Sequence, residues 1–221
     1  MKKITITDKQ YNYLKELREI TMLYDIALIF DEIITGFRMQ LGGCQEIFGI
    51  TADIVTYGKV IGGGLPIGVV AGKAKYLDYT DGGVWQFNDE SLPGSKMTFV
   101  AGTFCHHPLA MRAALCILNI LKTNKSEFYK DLNSRTTDFC QRMNDFFKEN
   151  NYPLRLVHYG SLFRFKTPGK TSQIYYYLLQ NGVYIWEGRN CFFSAEHNDK
   201  VINLLEDRIK KSCEEFFIKS N

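Results

Sequence analysis

The sequence lacks several features that would assign it to a common class of protein. Its 221 residues contain no apolar run of the roughly 18 residues that a membrane-spanning helix needs. There is no basic block, and the formal net charge is only +3 with lysines and arginines scattered among acids. Nothing therefore predicts binding to nucleic acid or to a membrane. The basic N-terminus lacks the apolar stretch of a signal peptide, and there is no internal repeat or low-complexity tract.

Cysteine is present, but not in a pattern that stabilises a fold or holds zinc. The six cysteines are widely spaced, without a CxxC pair, at positions 44, 105, 116, 140, 191 and 213. Such spacing is typical of reduced thiols in a cytoplasmic protein. His106 and His107 are adjacent but have no third ligand nearby in sequence, so we predict no metal site. They are better interpreted as local hydrogen-bonding groups or as lining for a substrate.

The chain does contain enough apolar sequence, 45% of its residues, to bury a real core. In its first part we expect α/β structure. Helical periodicity covers residues 7–22, and the apolar run 25–33 predicts a buried parallel strand. Further short strands are expected at 53–57 and 67–72, followed by a long loop at 79–95 and an apolar helix at 108–121 that begins with proline.

The pattern changes near residue 126 to a mixture of strands and helices, typical of a smaller α+β unit. We expect helices at 127–149, 171–181 and 199–217, with Gly182 ending the second of them. Strands are expected at 154–159, 161–166, 183–186 and 191–194. The sequence thus predicts two domains, 1–125 and 126–221.

Two charged residues carry the clearest chemical signal. Asp31 comes directly after the apolar residues 26–30 of the strand predicted at 25–33. Lys59 follows the short strand 53–57, directly before a glycine-rich turn. Ligands of open α/β sheets bind outside the carboxyl ends of the strands. A lysine there can form a Schiff base with an aldehyde cofactor, and a carboxylate can keep a pyridine nitrogen protonated. Ile33 lies two residues beyond Asp31, so strand periodicity places it on the same side, against the cofactor ring.

Plainer interpretations exist for each residue alone. An acidic pair at a strand end is commonly a cap or an ion pair, and a lysine before glycines is commonly a solvated turn residue. Competing glycine motifs fail: Gly62-x-Gly64 has no third glycine, and the run from Gly68 to Lys73 is one residue short of a phosphate loop. The ordered combination of Asp31 and Lys59 favours the cofactor interpretation.

Three segments also resemble the signatures of one enzyme family, the class-III, fold-type-I pyridoxal phosphate aminotransferases. Residues 28–38 (LIFDEIITGFR) resemble the aspartate signature of that family, and residues 52–68 (ADIVTYGKVIGGGLPIG) resemble its lysine signature. Residues 102–111 (GTFCHHPLAM) look like a third signature, whose threonine, here Thr103, contacts the cofactor phosphate of the neighbouring subunit. The three lie in register over essentially the whole chain.

Within that family the sequence is most similar to glutamate-1-semialdehyde aminomutase and its relatives. Phe37-Arg38 after the aspartate motif, and Ile34 where many ω-transaminases carry glutamine, indicate this likeness. Residues 160–165 (GSLFRF) and 182–192 (GVYIWEGRNCF) resemble aminotransferase domains embedded in hybrid polyketide–peptide synthetases. Those domains aminate a β-keto acyl chain held on an acyl carrier protein, which suggests a role in natural-product biosynthesis.

The resemblance implies a fold, a reaction and a set of site residues. Residues 1–125 would be the remainder of the cofactor-binding large domain, a three-layer α/β/α unit, and 126–221 the small α+β domain. The reaction would be ping-pong amino transfer from a glutamate-like donor to a keto or aldehyde acceptor. Lys59 and Asp31 would be catalytic, Ile33 and Thr103 would help to hold the cofactor, and Arg189 would bind the donor carboxylate. Trp186 is expected in the core or at an interface.

The resemblance covers roughly the C-terminal half of a family member, without the upstream segment that supplies the phosphate cup and the stacking aromatic residue. Because the family builds its site at a dimer interface, the resemblance implies a homodimer or a complementing N-terminal half; a fragment, a split enzyme completed by another chain and a truncated remnant all stay open. Two alternatives stay open: an aminomutase that moves an amino group within one molecule, and a truncated scaffold or partner domain without turnover.

Overall fold

A computed structural model describes residues 8–94 and 96–219. The chain divides into two compact units, with the boundary between Lys125 and Ser126. Each unit contains a three-stranded sheet. Within the described ranges, no helix is both long enough and apolar enough to cross a membrane.

The N-terminal unit has one small mixed sheet with helices before, within and after it. Its elements are α1 (Asp8–Leu23), β1 (Ile29–Asp31), α2 (Gly43–Phe48), β2 (Ile54–Gly58), β3 (Gly68–Gly72), α3 (Ala74–Asp81) and α4 (Pro108–Thr123), and a 3₁₀ turn, Lys59–Gly62, follows β2. The strand order is β1-β2-β3, parallel between the first two and antiparallel between the last two. The carboxyl ends of β1 and β2 therefore meet at one edge of the sheet.

The C-terminal unit is an antiparallel meander packed with three helices. Its elements are α5 (Lys125–Glu149), β4 (Arg155–Tyr159), β5 (Leu162–Lys166), α6 (Ile174–Gln180), β6 (Cys191–Phe192) and α7 (Asp199–Lys219), with a 3₁₀ turn, Gly169–Gln173, before α6. The strands pair in chain order. This agrees with the α+β pattern predicted from the sequence.

Several predicted elements need correction. The strand predicted at 25–33 pairs only over Ile29–Asp31, and it is not buried: Ile29 is 57% exposed, because β1 has a neighbour on one side only in the described sheet. Residues 183–186 are not a strand; Val183 donates its N–H to the Leu178 carbonyl and so completes the end of α6. The predicted helix 171–181 begins instead with a 3₁₀ turn.

The predicted loop 79–95 begins later than expected, because α3 continues to Asp81. Gly82, with φ 88°, ends this helix and donates its N–H to the Asp78 carbonyl. Part of the predicted N-terminal helix, residue 7, lies outside the described residues.

Most of the large buried side chains belong to the C-terminal unit. The rings of Phe139, Phe163 and Phe193 lie 5.0 to 5.3 Å apart, centroid to centroid, in mostly edge-on contacts. Leu178 on α6 and Ile209 on α7 are buried against the same cluster. Burial of such side chains contributes roughly 1.5 to 3 kcal/mol each. The small sheet and its three helices therefore share one apolar core.

A side-chain amide completes the outer edge of this sheet. Asn144 on α5 donates from Nδ2 to the Leu156 carbonyl at 2.9 Å and accepts the Leu156 N–H at 2.7 Å through Oδ1. Leu156 is only 2% exposed, so water cannot satisfy its backbone groups. The amide therefore satisfies the Leu156 backbone groups on the free side of β4 as a neighbouring strand would, and in this sense it is a substitute strand.

All six cysteines lie in the described part of the chain, and all are free thiols. Burial raises the pKa of Cys140 and of Cys213 to about 12, whereas Cys105 and Cys116 are exposed.

Candidate functional site

A buried carboxylate, that of Asp53, anchors the parallel strands at the end opposite to Asp31 and Lys59. Asp53 donates its backbone N–H to the Leu28 carbonyl, and its Oδ2 accepts the Leu28 N–H, each at 2.8 Å. Its two oxygens also receive Arg18 Nη1 at 2.8 Å and Lys73 Nζ at 2.6 Å. Asp53 thereby joins α1, the start of both parallel strands and the residue that follows β3.

These contacts shift the ionisation of Asp53. Burial alone would raise the pKa of its carboxyl, but Lys73, the Leu28 amide and Arg18 together hold that pKa well below its usual range. Asp53 is therefore charged at all ordinary pH values. Its charge anchors the sheet, because its partners belong to α1, to the residue before β1 and to the residue after β3.

Asp31 ends β1 at the predicted edge. It lies opposite Thr56 in the parallel register, and the next residue continues the ladder by donating its N–H to the Thr56 carbonyl at 3.0 Å. Oδ1 of Asp31 accepts the Ile33 N–H at 3.0 Å and the Thr56 hydroxyl at 3.4 Å. The carboxylate is exposed, and these two hydrogen bonds fix its orientation.

The neighbouring acid, Glu32, points into the protein and organises the loop that follows. It is 2% exposed, and its carboxylate accepts the Thr35 hydroxyl at 2.6 Å, the Cys44 N–H at 2.8 Å and the Gln45 N–H at 2.9 Å. Gly43, with φ 69°, is required here because a Cβ would lie 2.5 Å from Glu32 Oε2. The two acids of the pair therefore have different roles: the Asp31 carboxylate is exposed, whereas the Glu32 carboxylate holds the loop.

Lys59 follows β2 directly and is exposed. Its φ is 48°, in the left-handed region, which residues with a Cβ rarely adopt. The 3₁₀ turn that it begins is braced by α4, because Ile117 and Ala113 lie beneath Gly63 at its end. Strained backbone of this kind persists only when the surroundings fix it, and it clusters at functional sites.

Ile33 lies near Lys59, but not for the reason given by strand periodicity. The prediction that Ile33 belongs to the strand was wrong, because β1 ends at Asp31 and Ile33 belongs to the turn that follows. Its side chain nevertheless comes close to the residue before the lysine: a Cβ on Gly58 would lie 3.4 Å from Ile33 Cγ2. Asp31, Ile33 and Lys59 are therefore brought to one edge of the sheet.

The other predicted residues lie elsewhere. Thr103 is on an exposed turn shortly before α4, and His106, with φ 55°, belongs to the same turn. Arg189 belongs to the C-terminal unit, where it lines a pocket beside α7. Trp186 was expected in the core or at an interface; it is 64% exposed, so its core placement was wrong.

Two residues that shape the site were not given roles from the sequence. Glu32 was visible as half of an acidic pair, but its inward direction depends on the turn after β1. Asp53 stands before an apolar strand, and its burial is explained by partners distant in sequence, Arg18 and Lys73, together with the Leu28 amide. Neither role follows from local periodicity.

Comparison with known proteins defines the class. The family model described as aminotransferase class-III matches residues 6–203. The chain therefore belongs to the class-III aminotransferase family, whose members depend on pyridoxal phosphate. This agrees with the resemblance carried by the three sequence signatures.

Individual relatives include glutamate-1-semialdehyde 2,1-aminomutases. The protein of that name from Methanococcus maripaludis (strain C7) is 33% identical over 90% of this chain and 48% of its own length. The one from Sulfolobus acidocaldarius is 35% identical over 96% of this chain and 51% of its own length. The chain thus spans about half the length of the curated relatives it matches.

Solved structures share its fold. An omega-transaminase from Sphaerobacter thermophilus superposes with a TM-score of 0.79 at 26% identity, covering 92% of this chain and 48% of that one. The chain therefore has part of the fold-type-I pyridoxal phosphate transferase fold.

Proposed function

We propose that this protein takes part in pyridoxal phosphate-dependent amino transfer from an amino-acid donor to a keto or aldehyde acceptor. One observation carries the proposal: Lys59 holds a left-handed backbone conformation immediately after β2, while the oriented, exposed Asp31 ends the adjacent parallel strand. Asp31 pairs with Thr56 and Lys59 follows three residues later, so the proposal places the carboxylate and the amine on either side of one ligand. Membership of the family supports the same chemistry.

The residues at this edge suit the cofactor. Asp31 would hold a proton on the pyridine nitrogen, Ile33 would pack on the ring, and the amine of Lys59 would bond to the aldehyde carbon with loss of the aldehyde oxygen as water. When bound, pyridoxal phosphate supplies a ring that accepts electrons from the substrate α-carbon. Once the substrate amino group had displaced it from the aldehyde carbon, Lys59 Nζ would carry the proton between the substrate α-carbon and that carbon of the cofactor. Thr103 would contact the cofactor phosphate of a second subunit, so the proposal includes a homodimer.

For the acceptor, we propose a keto or aldehyde compound, with a β-keto acyl chain on an acyl carrier protein as the specific form. The support is the sequence of residues 160–165 and 182–192. Arg189, on the segment 182–192, would bind the donor carboxylate through its guanidinium. The six free cysteines support a cytoplasmic location for the reaction.

A second candidate function is amino transfer within one molecule. The relatives from Methanococcus maripaludis and Sulfolobus acidocaldarius are both named glutamate-1-semialdehyde 2,1-aminomutase, which supports this alternative. The two reactions differ in product. A transferase incubated with glutamate and a keto or aldehyde acceptor accumulates the keto acid of glutamate, whereas a mutase converts its substrate without releasing a keto acid.

Covalent trapping tests the cofactor proposal without depending on turnover. The protein is mixed with pyridoxal phosphate, reduced with borohydride, digested and analysed by mass spectrometry. We expect the label on Lys59 and its loss in Lys59→Arg, which keeps the charge but cannot bond to the aldehyde. Lys75→Arg is the matched control, since Lys75 is an exposed lysine that pairs with Asp25, and the label should be unchanged.

The same trapping is repeated with a polypeptide equivalent to the N-terminal half of the relatives. Label on Lys59 only in the mixture would support a site completed by a second polypeptide. Absence of label in both experiments would overturn the cofactor proposal and favour a scaffold without turnover. For the acceptor, a β-keto acyl thioester on a carrier protein is compared with the free β-keto acid; equal rates would contradict the carrier proposal.

A further inference from the structure

The outer face of the C-terminal sheet is positively charged. Phe163 and Phe165 of β5 are buried in the core, so Arg164 and Lys166, which alternate with them, face the other way. Together β4 and β5 contain three cations, the third being Arg155, and no acid. Since the formal net charge of the chain is +3, the rest of the chain carries no net charge. The net positive charge of the protein is therefore that of these two strands.

Two of the cations stand directly opposite each other. Arg155 of β4 pairs with Lys166 of β5 in the antiparallel register. Side chains in such a pair leave the same face of the sheet with their Cβ atoms about 5 Å apart, and like charges at that separation destabilise the pairing. The ion pairs among the described residues of this unit involve neither cation. The structure therefore keeps a repulsive pair that no acid in the described part of the unit neutralises.

An open hollow of about 470 Å³ is lined by this pair and by the ends of its two strands. The other lining residues are Pro153, Leu154, Thr167 and Pro168, none of which is acidic. The volume falls within the range of small-molecule sites. The hollow thus combines two cations and one hydroxyl with apolar walls.

Hydrogen bonds and proline rings fix the walls. The Pro168 carbonyl accepts the Thr171 N–H at 3.2 Å and the Thr171 hydroxyl at 2.6 Å, in the 3₁₀ turn after β5. The rings of Pro153 and Pro168 also restrict φ in both segments that border the hollow. A ligand would therefore not have to order these walls when it binds, which favours affinity.

We propose that this hollow binds a phosphate monoester. A single dianion neutralises Arg155 and Lys166 together and accepts charge-assisted hydrogen bonds from both. The Thr167 hydroxyl supplies a further donor. The apolar body of the ester packs on the proline walls.

The third cation of the ladder favours a compact ligand over the extended surface of an acidic protein. Arg164 Nη2 lies 3.5 Å from the position that a Cβ on Gly188 would occupy, and Arg164 does not line the hollow. Only two cations thus serve the hollow, which matches the charge of one phosphate monoester. The proposal rests on the C-terminal unit alone and does not require a cofactor at Lys59.

Phosphorus NMR of phenyl phosphate, titrated with the full chain at constant ionic strength, tests the proposal. At about pH 8 the ester is a dianion, because its second pKa is near 6. We expect a saturable change in its chemical shift. Phenyl sulfate has a similar shape but a single charge, so it should compete about tenfold more weakly or worse. Inorganic phosphate lacks the apolar body and should also compete more weakly than the ester.

Variants locate the binding. Lys166→Gln and Arg155→Gln should each weaken it about tenfold or more, because each removes one of the two cations. Lys200→Gln is the matched control: Lys200 is an exposed cation on α7, outside the hollow, and its loss should change nothing. Circular dichroism verifies that each variant is folded. Lys59→Ala should bind the ester normally, so failure of the cofactor proposal can be told apart from failure of this one.

Three results would overturn the proposal. The first is the absence of a saturable shift. The second is competition by phenyl sulfate or inorganic phosphate that equals competition by the ester, since the hollow would then not recognise a monoester. The third is unchanged affinity in Lys166→Gln and Arg155→Gln, or an equal loss in Lys200→Gln, because binding would then lie elsewhere or be only diffuse attraction to positive charge.

Discussion

Leu28 and Asp53 hold each other through two hydrogen bonds of 2.8 Å, one in each direction. The pair stands at the beginning of the parallel ladder whose other end carries Asp31 and precedes Lys59. Since a slip of one residue would turn every side chain of a strand to the opposite face, a fixed starting point determines which groups reach the site. The anchor therefore fixes which side chains lie at the end of the sheet that carries Asp31 and Lys59.

Asp53→Asn is expected to destabilise the N-terminal unit by about 3 kcal/mol, because it leaves Arg18 partly buried without its partner. The measurement is urea unfolding followed by Trp85 fluorescence in a Trp186→Phe background, so that the reporter belongs to this unit. Trp186→Phe alone is the control. A loss below about 0.5 kcal/mol, the usual range for surface changes, would contradict the anchoring role.

The same carboxylate predicts a pH dependence. The folded pKa of Asp53 is lowered, so its stabilisation is complete above the unfolded pKa of about 4 and is lost as pH falls towards the folded value. Unfolding free energies measured between pH 6 and pH 3, in steps of about half a unit, should decline more steeply for the parent than for Asp53→Asn. Parallel curves would show that Asp53 does not contribute.

Glu32→Gln should destabilise the loop that Glu32 holds at Cys44 and Gln45, and it should make the Cys44 thiol more reactive. The substitution weakens the charge-assisted hydrogen bonds from the Cys44 and Gln45 amides, at a cost of roughly 1 to 3 kcal/mol. Burial, followed by the Glu32 charge, raises the pKa of Cys44 to about 11. Removing that charge lowers this pKa, so alkylation of Cys44 by iodoacetamide at fixed pH should accelerate. Exposed Cys105 is the internal reference, and an unchanged ratio of the two rates would contradict the prediction.

Two glycines of β3 should respond differently to alanine. A Cβ at Gly72 would lie 2.4 Å from the Asp53 carbonyl oxygen and 3.0 Å from Ile54 Cα, both backbone atoms that cannot move aside cheaply. Gly72→Ala should therefore cost about 1 to 3 kcal/mol, as overpacking does. Gly68→Ala is the matched control, because its Cβ would meet nothing within 4 Å. Chemical denaturation with Trp85 as reporter should rank the two variants, and equal stabilities would refute the close approach.

Asn144→Ala should destabilise the C-terminal unit by roughly 1 to 3 kcal/mol for each Leu156 backbone group left without a partner. Asn150→Ala is the control: Asn150 is exposed just after α5 and bonds only locally, to the Phe146 carbonyl. Unfolding is monitored by Trp186 fluorescence in the Trp85→Phe background. Similar losses in both variants would remove the case for a substitute strand.

The elements that were predicted well have strong local signals. Pro108 begins α4 and Gly182 follows α6, where proline and glycine are expected. Asp31 and Lys59 were predicted to carry the site because both stand at the carboxyl ends of apolar strands in one α/β pattern, and their roles stay predictions. Prediction failed where residues distant in sequence determine the structure. Ile29 is exposed because no second neighbour of β1 lies in the described sheet. Val183 donates its N–H back to α6 instead of pairing as a strand. The direction of Glu32 likewise depends on a loop that ends 13 residues later.

The backbone of Lys59 has a consequence for how this protein changes over generations. A left-handed φ costs a residue with a Cβ roughly 1 to 3 kcal/mol, and glycine escapes that cost. Lys59→Gly should therefore be more stable than Lys59→Ala. For a chain selected only to fold, glycine would be the more favourable residue at this position, so lysine there lowers the stability of the fold.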